Sequence, residues 1–327
     1  MDEEIWQMVD PIITASIVYA SLFGLMAIGL TLTYITTKVP NFAYGSFVTV
    51  GMYTAFSLFR LQGFSPYSSV PIAFIVGSLG SAAMYLGILR TLARRGSSLV
   101  ALMIATLAID IAFVGIFGIF SDYLYARYRI IDAPKFVQLP GDYSLFGIQG
   151  IVFTAPISLC TITLALFGLL TKTKFGIAMR ASVENPSLAR VLGINVENVY
   201  IFAWSLAGGF AAMSGAYYTL WLPGGIDVGS KLIVEIFASS VLGGLASIYG
   251  AALGGVIIGA GEILITTAGA NLFGSSVGIY QKGIPLIIMI ITLLLFPQGL
   301  VSLDLRRAFR KFRNLRSLGW RKSLHLS

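Results

Sequence analysis

Charge is what this chain has least of. Only 11% of its 327 residues are charged, against about 25% in an ordinary soluble domain, while 57% are hydrophobic. A soluble chain of this length could bury a large core, but it would need a charged surface to cover that core. Here there is too little, which excludes a soluble globular fold. The single histidine is His325, near the C-terminal end. A His-ligated metal centre and a serine–histidine couple are therefore excluded. No G-x-x-x-x-G-K-[ST] loop occurs, so ATP is not held by that device, and there is no H-E-x-x-H. No cofactor and no catalytic role within the chain are expected. The lone Cys160 forms no disulfide within the chain; lying in an apolar run, it reads as a small core residue. The N-terminus opens on Asp2, Glu3 and Glu4, not on the cations of a cleavable signal.

What the sequence does have is long apolar runs, at 12–35, 41–59, 70–89, 98–120, 148–170, 199–222 and 279–296. Most reach the ~20 residues a helix needs to cross ~30 Å of hydrocarbon. Lipid forces each spanning backbone to satisfy its own hydrogen bonds, and the alternation of a barrel is absent. The expected fold is an all-α polytopic membrane protein. Residues 232–243 and 250–265 look too short to span, with "GLASIYG" between them. They read as two half-length or re-entrant helices, or as one long kinked helix. Gly250-x-x-x-Gly254 and Gly255-x-x-x-Gly259 there permit close helix contact. Counting this pair, about eight to nine membrane or half-membrane helices are expected.

Lysine and arginine set the orientation. Arg90, Arg94 and Arg95 share one loop, Lys172, Lys174, Arg180 and Arg190 another, and the tail after Ser302 is strongly basic. These belong inside; the acidic N-terminus and the mixed 121–147 loop belong outside. The net charge of +8 reflects mainly that tail. Its Leu305, Phe309, Phe312 and Leu315 fall at helical spacing, so it reads as a membrane-surface helix rather than a nucleic-acid-binding one. The permease body is then 1–302, with the basic cytoplasmic tail at 303–327.

Residues 173–195, "TKFGIAMRASVENPSLARVLGIN", form a polar island between greasy segments. Asn185 directly before Pro186 is an N-cap followed by the residue favoured at the first helical position. Gly193 fits the left-handed position past a helix end. Ala189, Val191 and Leu192 give an apolar side, and Arg180 and Glu184 stand one turn apart. The island reads as a capped helix or helix pair, either a docking element for a soluble partner or a solvated connecting loop. Three acids lie in or near apolar runs: Asp110, Glu235 and Glu262. Intramembrane acids usually face a cavity or a bundle interior. Glu235 and Glu262, placed near the outer ends of the paired short helices, either line an entry funnel or anchor an interface. Thr106, one turn before Asp110, could share its hydrogen bonding.

At these residues the chain resembles the ABC-importer permeases for branched-chain amino acids. The loop pattern of that family, Gly-x-Ala-x-Arg-Ala then Asn-x-x-x-Ala and Gly-Ile-Asn, falls on Gly176, Ala178, Arg180, Ala181, Asn185, Ala189, Gly193, Ile194 and Asn195. "VPNFAYGSFVTVGMY" at 39–53, "VLGGLASIYGAALGGVIIGAGE" at 241–262 and "FPQGL" at 296–300 are similar to three further family segments. The sequence departs from the family at Tyr44, where histidine is frequent, at Ser46, and at Phe296, where arginine is usual. The resemblance implies a prokaryotic inner-membrane permease that couples to two ATP-binding cassette subunits through 172–198. It implies a second permease chain, identical or homologous, and an extracytoplasmic solute-binding protein that delivers a small-molecule substrate. Asn41, Tyr44, Asp110, Glu235, Gly243, Gly244, Gly255 and Glu262 are the expected translocation-path residues. A urea or short-amide permease of the same group, or an ion-gradient-driven secondary transporter, would share many of these features.

Overall fold

The computed structural model describes residues 11–145, 147–296 and 299–300. The acidic N-terminus, the basic tail, His325 and the Pro-Gln of "FPQGL" lie outside them. Among the described residues, six helices are long and apolar enough to cross a membrane: α1 (Pro11–Thr37), α3 (Pro66–Arg94), α4 (Leu99–Tyr128), α5 (Ile151–Lys172), α8 (Val196–Tyr218) and α10 (Ile248–Phe273). Between them lie α2 (Tyr44–Gln62), α6 (Lys174–Glu184), α7 (Pro186–Val191) and α9 (Val228–Gly243), and α11 (Gly283–Leu295) follows α10. The chain is therefore a polytopic all-α membrane protein.

One end of the bundle carries α6 and α7. The opposite end carries four two-residue strands, β1 (Lys135–Phe136), β2 (Ser144–Leu145), β3 (Ile148–Gln149) and β4 (Gly224–Gly225). β1 pairs antiparallel with β4, and β2 with β3. This small cap is pinned to the helices by Arg60 on Asp132 and by the Tyr67 hydroxyl donating to Asp142.

Helices α1, α2 and α8 form the centre, where Phe23, Phe47, Phe56 and Trp204 are buried. Helix α4 lies at the rim: only Leu102, Thr106, Phe117, Ser121 and Leu124 of its thirty residues are buried. Without water, helices inside a membrane gain little from hydrophobic burial and associate by close packing instead. Gly255 and Gly259 of α10 lie directly on the backbone of α1. A Cβ at Gly255 would stand 2.5 Å from Gly24 Cα, and one at Gly259 the same distance from the Tyr19 carbonyl carbon.

The structure corrects the expected half-length pair. α9 is short, with sixteen residues, but α10 runs for twenty-six and is a full span. Its polar Glu262 and its many glycines broke up the apolar run without breaking the helix. The break itself is a turn after α9: Gly244 adopts φ +100°, and the Ser247 hydroxyl caps α10 by accepting from Gly250 N–H at 3.1 Å. Cys160 is also corrected. It is exposed on the flank of α5 rather than buried, because an apolar residue of a spanning helix can face lipid as readily as a core.

Gly255→Leu should force α1 and α10 apart, an overpacking cost of roughly 1–3 kcal/mol. It is expected to lower the thermal midpoint of the solubilised protein by several degrees. Gly115→Leu, where nothing stands within 4 Å of the added carbon, should leave that midpoint unchanged.

Candidate functional site

The polar island folds as two capped helices. Thr173 Oγ1 accepts from Gly176 N–H at 3.3 Å to start α6. The Asn185 side chain accepts from Leu188 N–H at 3.0 Å to start α7, and Pro186 occupies its first turn. Gly193 takes φ +82° just past the end, and Ile194 N–H closes back on the Ala189 carbonyl. The Cβ of Gly176 would collide with the backbone of Leu170, so glycine there lets α6 fold back against the end of α5. Tyr200 of α8 donates to the Ser182 carbonyl at 3.2 Å.

The expected apolar side of this element divides in two. Ala189 is buried, at 2% exposure, and seats α7 on the bundle, whereas Leu188, Val191 and Leu192 point outward at 55%, 82% and 69%. Ile177 of α6 is exposed as well. Ala181 is half-buried, and Glu184 and Asn185 are exposed. The expected Arg180–Glu184 pair does not form. Arg180 instead donates to the Leu170 carbonyl at the end of α5, a capping interaction available to a cation near any helix C-terminus.

The second cluster lies within the bundle. Asp110 stands about 16 Å along α4, by the helical rise. Its Oδ1 accepts from Ser46 of α2 at 2.5 Å and from Ser230 of α9 at 3.0 Å. Thr106 does not share Asp110. It serves the chain between α1 and α2, accepting from Phe42 N–H at 3.2 Å while donating to the Met103 carbonyl at 2.7 Å. The first turns of α2 and α9 meet here. The Gly45 and Gly229 backbones leave each other no room for a side chain, and Gly229 N–H donates to Thr49 Oγ1 at 3.0 Å. Asn41 is fully buried, with neither amide atom bonded among the described residues. Tyr44 is fully buried too, its ring filling the space left by Gly29.

Glu235 and Glu262 lie in the middle of α9 and α10, not near their ends. Both are 2% exposed. Lys282, directly before α11, donates to Glu235 at 3.2 Å, and Gln281 donates to Glu262 at 2.9 Å. These contacts tie the start of α11 to α9 and α10. Gly243 is in close backbone contact with Gly250 across the α9–α10 turn.

The residues missed at the sequence level are Ser230, Gln281, Lys282 and the exposed Leu188. Lys282 carried a signal, as a cation in an otherwise uncharged run. Ser230 carried none, because its meaning depends on a neighbour 120 residues away.

Residues 12–293 match the family described as the permease component of the branched-chain amino acid transport system. The chain is 45% identical over 299 residues to the probable branched-chain amino acid transport permease protein LivH of Methanocaldococcus jannaschii, covering 91% of this chain and 94% of that one. This chain belongs to the branched-chain amino acid permease family. It is 29% identical to BraD, a high-affinity branched-chain amino acid permease protein of Pseudomonas aeruginosa, over 86% of this chain and 92% of that one. It is 30% identical to LsrC, the autoinducer 2 import permease protein of Yersinia pestis, over 76% and 66%. As a member of an ABC-permease family, the chain is a multi-pass membrane transport subunit and not an enzyme. Within this permease the two clusters divide by position, one displayed at an end of the bundle and one set between α2, α4 and α9.

Hydrogen bonds to a charged group contribute about 1.5–3 kcal/mol each, and Asp110 holds two of them against the rim helix α4. Asp110→Ala should raise deuterium uptake across 99–128 and depress transport at least about tenfold. Asp110→Asn, which still accepts a bond, should fall between that variant and the parent.

Proposed function

We propose that this permease is the membrane subunit of an ATP-driven importer for branched-chain or similar apolar amino acids. Two ATP-binding cassette subunits grip α6 and α7, a second permease chain completes the pathway, and an extracytoplasmic binding protein delivers the cargo. The carrying observation is the capped helix pair that presents Ile177, Leu188, Val191 and Leu192 to solvent. A connecting loop has no need of two N-caps and a left-handed stop, nor of four large apolar side chains in water. Exposed apolar groups of this kind mark a partner surface. In this reading the α6–α7 end is cytoplasmic, as the cations Arg90, Arg94, Lys172 and Lys174 suggest. The 45% identity to a probable branched-chain amino acid permease favours that cargo over the urea and short-amide alternatives.

The cargo route in this proposal passes the junction of α2 and α9. Interrupted helices that meet within a membrane protein offer helix N-termini to a carboxylate. Asp110 offers a carboxylate to an ammonium group, so a zwitterion finds both complements there. Asp227 and Lys231, half-open and paired with each other, continue the polar route towards the cap. Glu235 and Glu262, each already bonded to a residue at the start of α11, act as anchors.

Leu188→Glu and Val191→Glu should leave expression and thermal stability near normal, since both side chains are exposed. They should abolish most of the ATPase stimulation by cargo-loaded binding protein in the reconstituted complex. Full stimulation in both variants would reduce α6–α7 to a connection. Orientation is tested separately by cysteine labelling in a Cys160→Ser background, which is needed because Cys160 is itself exposed. Cysteines at Ser187 and Gly96 should react only from the cytoplasm, and one at Gly141 only from outside.

A further inference from the structure

A cavity of about 420 Å³ lies between α7 and the α1–α2 turn, within the ~300–1,000 Å³ range of small-molecule sites. Val39, Leu89, Leu102 and Val183 supply apolar walls, and Lys38 and Arg190 supply the charge. Among the described residues no carboxylate lines it. Neither cation forms an ion pair among the described residues, whereas Arg90 and Arg94 nearby share Glu197. A neighbouring cavity of about 440 Å³ along α6 differs, since it contains Arg180 and Glu184 together. Lys38 is held at its cavity by a left-handed backbone, φ +57°, a conformation uncommon for lysine and favoured by few residues besides glycine, asparagine and aspartate. Its ammonium also lies 6.0 Å from the Tyr34 ring centroid.

We infer that this cavity binds a small aliphatic carboxylate of net negative charge, of the branched 2-oxo acid class. Two cations complement the carboxylate, and the apolar walls complement a branched hydrocarbon body. Among the described lining residues no acidic group is present to take up an ammonium, so the site selects the oxo acid over the amino acid from which it derives. The site is distinct from the Asp110 cluster, which offers an acid to a cation. An occupant touches Pro186 and Arg190 on one side and Thr36 to Val39 on the other. It therefore ties α7 to the α1–α2 turn, and a cytoplasmic metabolite would stiffen the helix pair on which the partner surface lies.

The test is calorimetric titration of the purified full-length chain in phosphatidylcholine nanodiscs, which needs neither an ATPase nor transport. Its failure would leave the transport reading standing; failure of that reading, on which the cytoplasmic side and the partner surface rest, would leave the binding itself untouched. The probe is 4-methyl-2-oxopentanoate. For a ligand of this size, ordinary efficiency per atom puts Kd on the order of 1 mM or tighter. Leucine, with the same carbon skeleton and an ammonium in place of the oxo group, should bind at least about tenfold more weakly. The neutral ketone 4-methyl-2-pentanone and inorganic phosphate should each bind more weakly than the oxo acid. Loss of a charge-assisted contact should weaken binding about tenfold or more in Arg190→Gln and in Lys38→Asn. The latter keeps a residue suited to the left-handed backbone. Lys172→Gln, outside the cavity, should bind as the parent does. Unchanged affinity in both cavity variants would overturn the assignment, as would equal binding by phosphate or the ketone. So would complete loss of the signal when phosphatidylglycerol is added to the nanodiscs, since the site would then belong to lipid.

Discussion

Everything in this structure follows from the absence of water around the spanning backbone. Inside hydrocarbon an unpaired N–H or C=O costs several kcal/mol, so the chain must close its own hydrogen bonds wherever it meets lipid. The long helices do this by themselves. The segments between α1 and α2 and between α8 and α9 are not helical throughout, and neighbouring elements satisfy part of their backbone. Thr106 and Thr49 accept bonds from backbone N–H groups of Phe42 and Gly229, and the Gln138 side chain donates to the Leu220 carbonyl. Glycine provides the second requirement, contact between backbones. Gly45 against Gly229, and Gly255 against Gly24, let helices touch where a methyl group would hold them apart.

Few charges are available, and several are placed at joints between helices. Asp110 holds the rim helix α4 to the junction of α2 and α9. Glu235 and Glu262 receive Lys282 and Gln281 and so hold α11. Arg90 and Arg94 clasp Glu197 at the start of α8, joining the end of α3 to the bundle. A charge sunk in such a joint is expensive to leave unpaired, so these contacts set the relative placement of helices whose apolar surfaces alone would allow sliding. The charges of α6 and α7, by contrast, are mostly exposed, and their helices are fixed by caps and by Ala189.

Local chemistry made much of this legible beforehand. Asn185–Pro186 and Gly193 marked the ends of α7 because capping depends on residues within one turn. That several helices span was readable because hydrocarbon thickness sets helix length; their number was not, since eight to nine full or half passes were expected and six helices among the described residues are long enough to cross. What depended on distant partners was not readable. Arg180 was expected to meet Glu184, its neighbour along the helix, yet bonds the carbonyl end of α5. Thr106 was expected to serve Asp110, yet serves the chain before α2. α10 was read as the half-length stretch 250–265, because Glu262 and the glycines lower apparent hydropathy, although it runs for twenty-six residues. Whether Cys160 faces core or lipid cannot be told from an apolar run, since both surroundings select the same residues.

The central claim is that the enclosed junction of α2 and α9 is where cargo passes. The most direct measurement is the reaction of Ser230→Cys, in a Cys160→Ser background, with a membrane-impermeant thiol reagent in the assembled transporter. The account predicts labelling during ATP turnover and protection from it when branched-chain amino acid and its binding protein are present. A cysteine at 230 that stays unreactive in every state, while uptake continues, would show that the junction is sealed structure and that the route lies elsewhere.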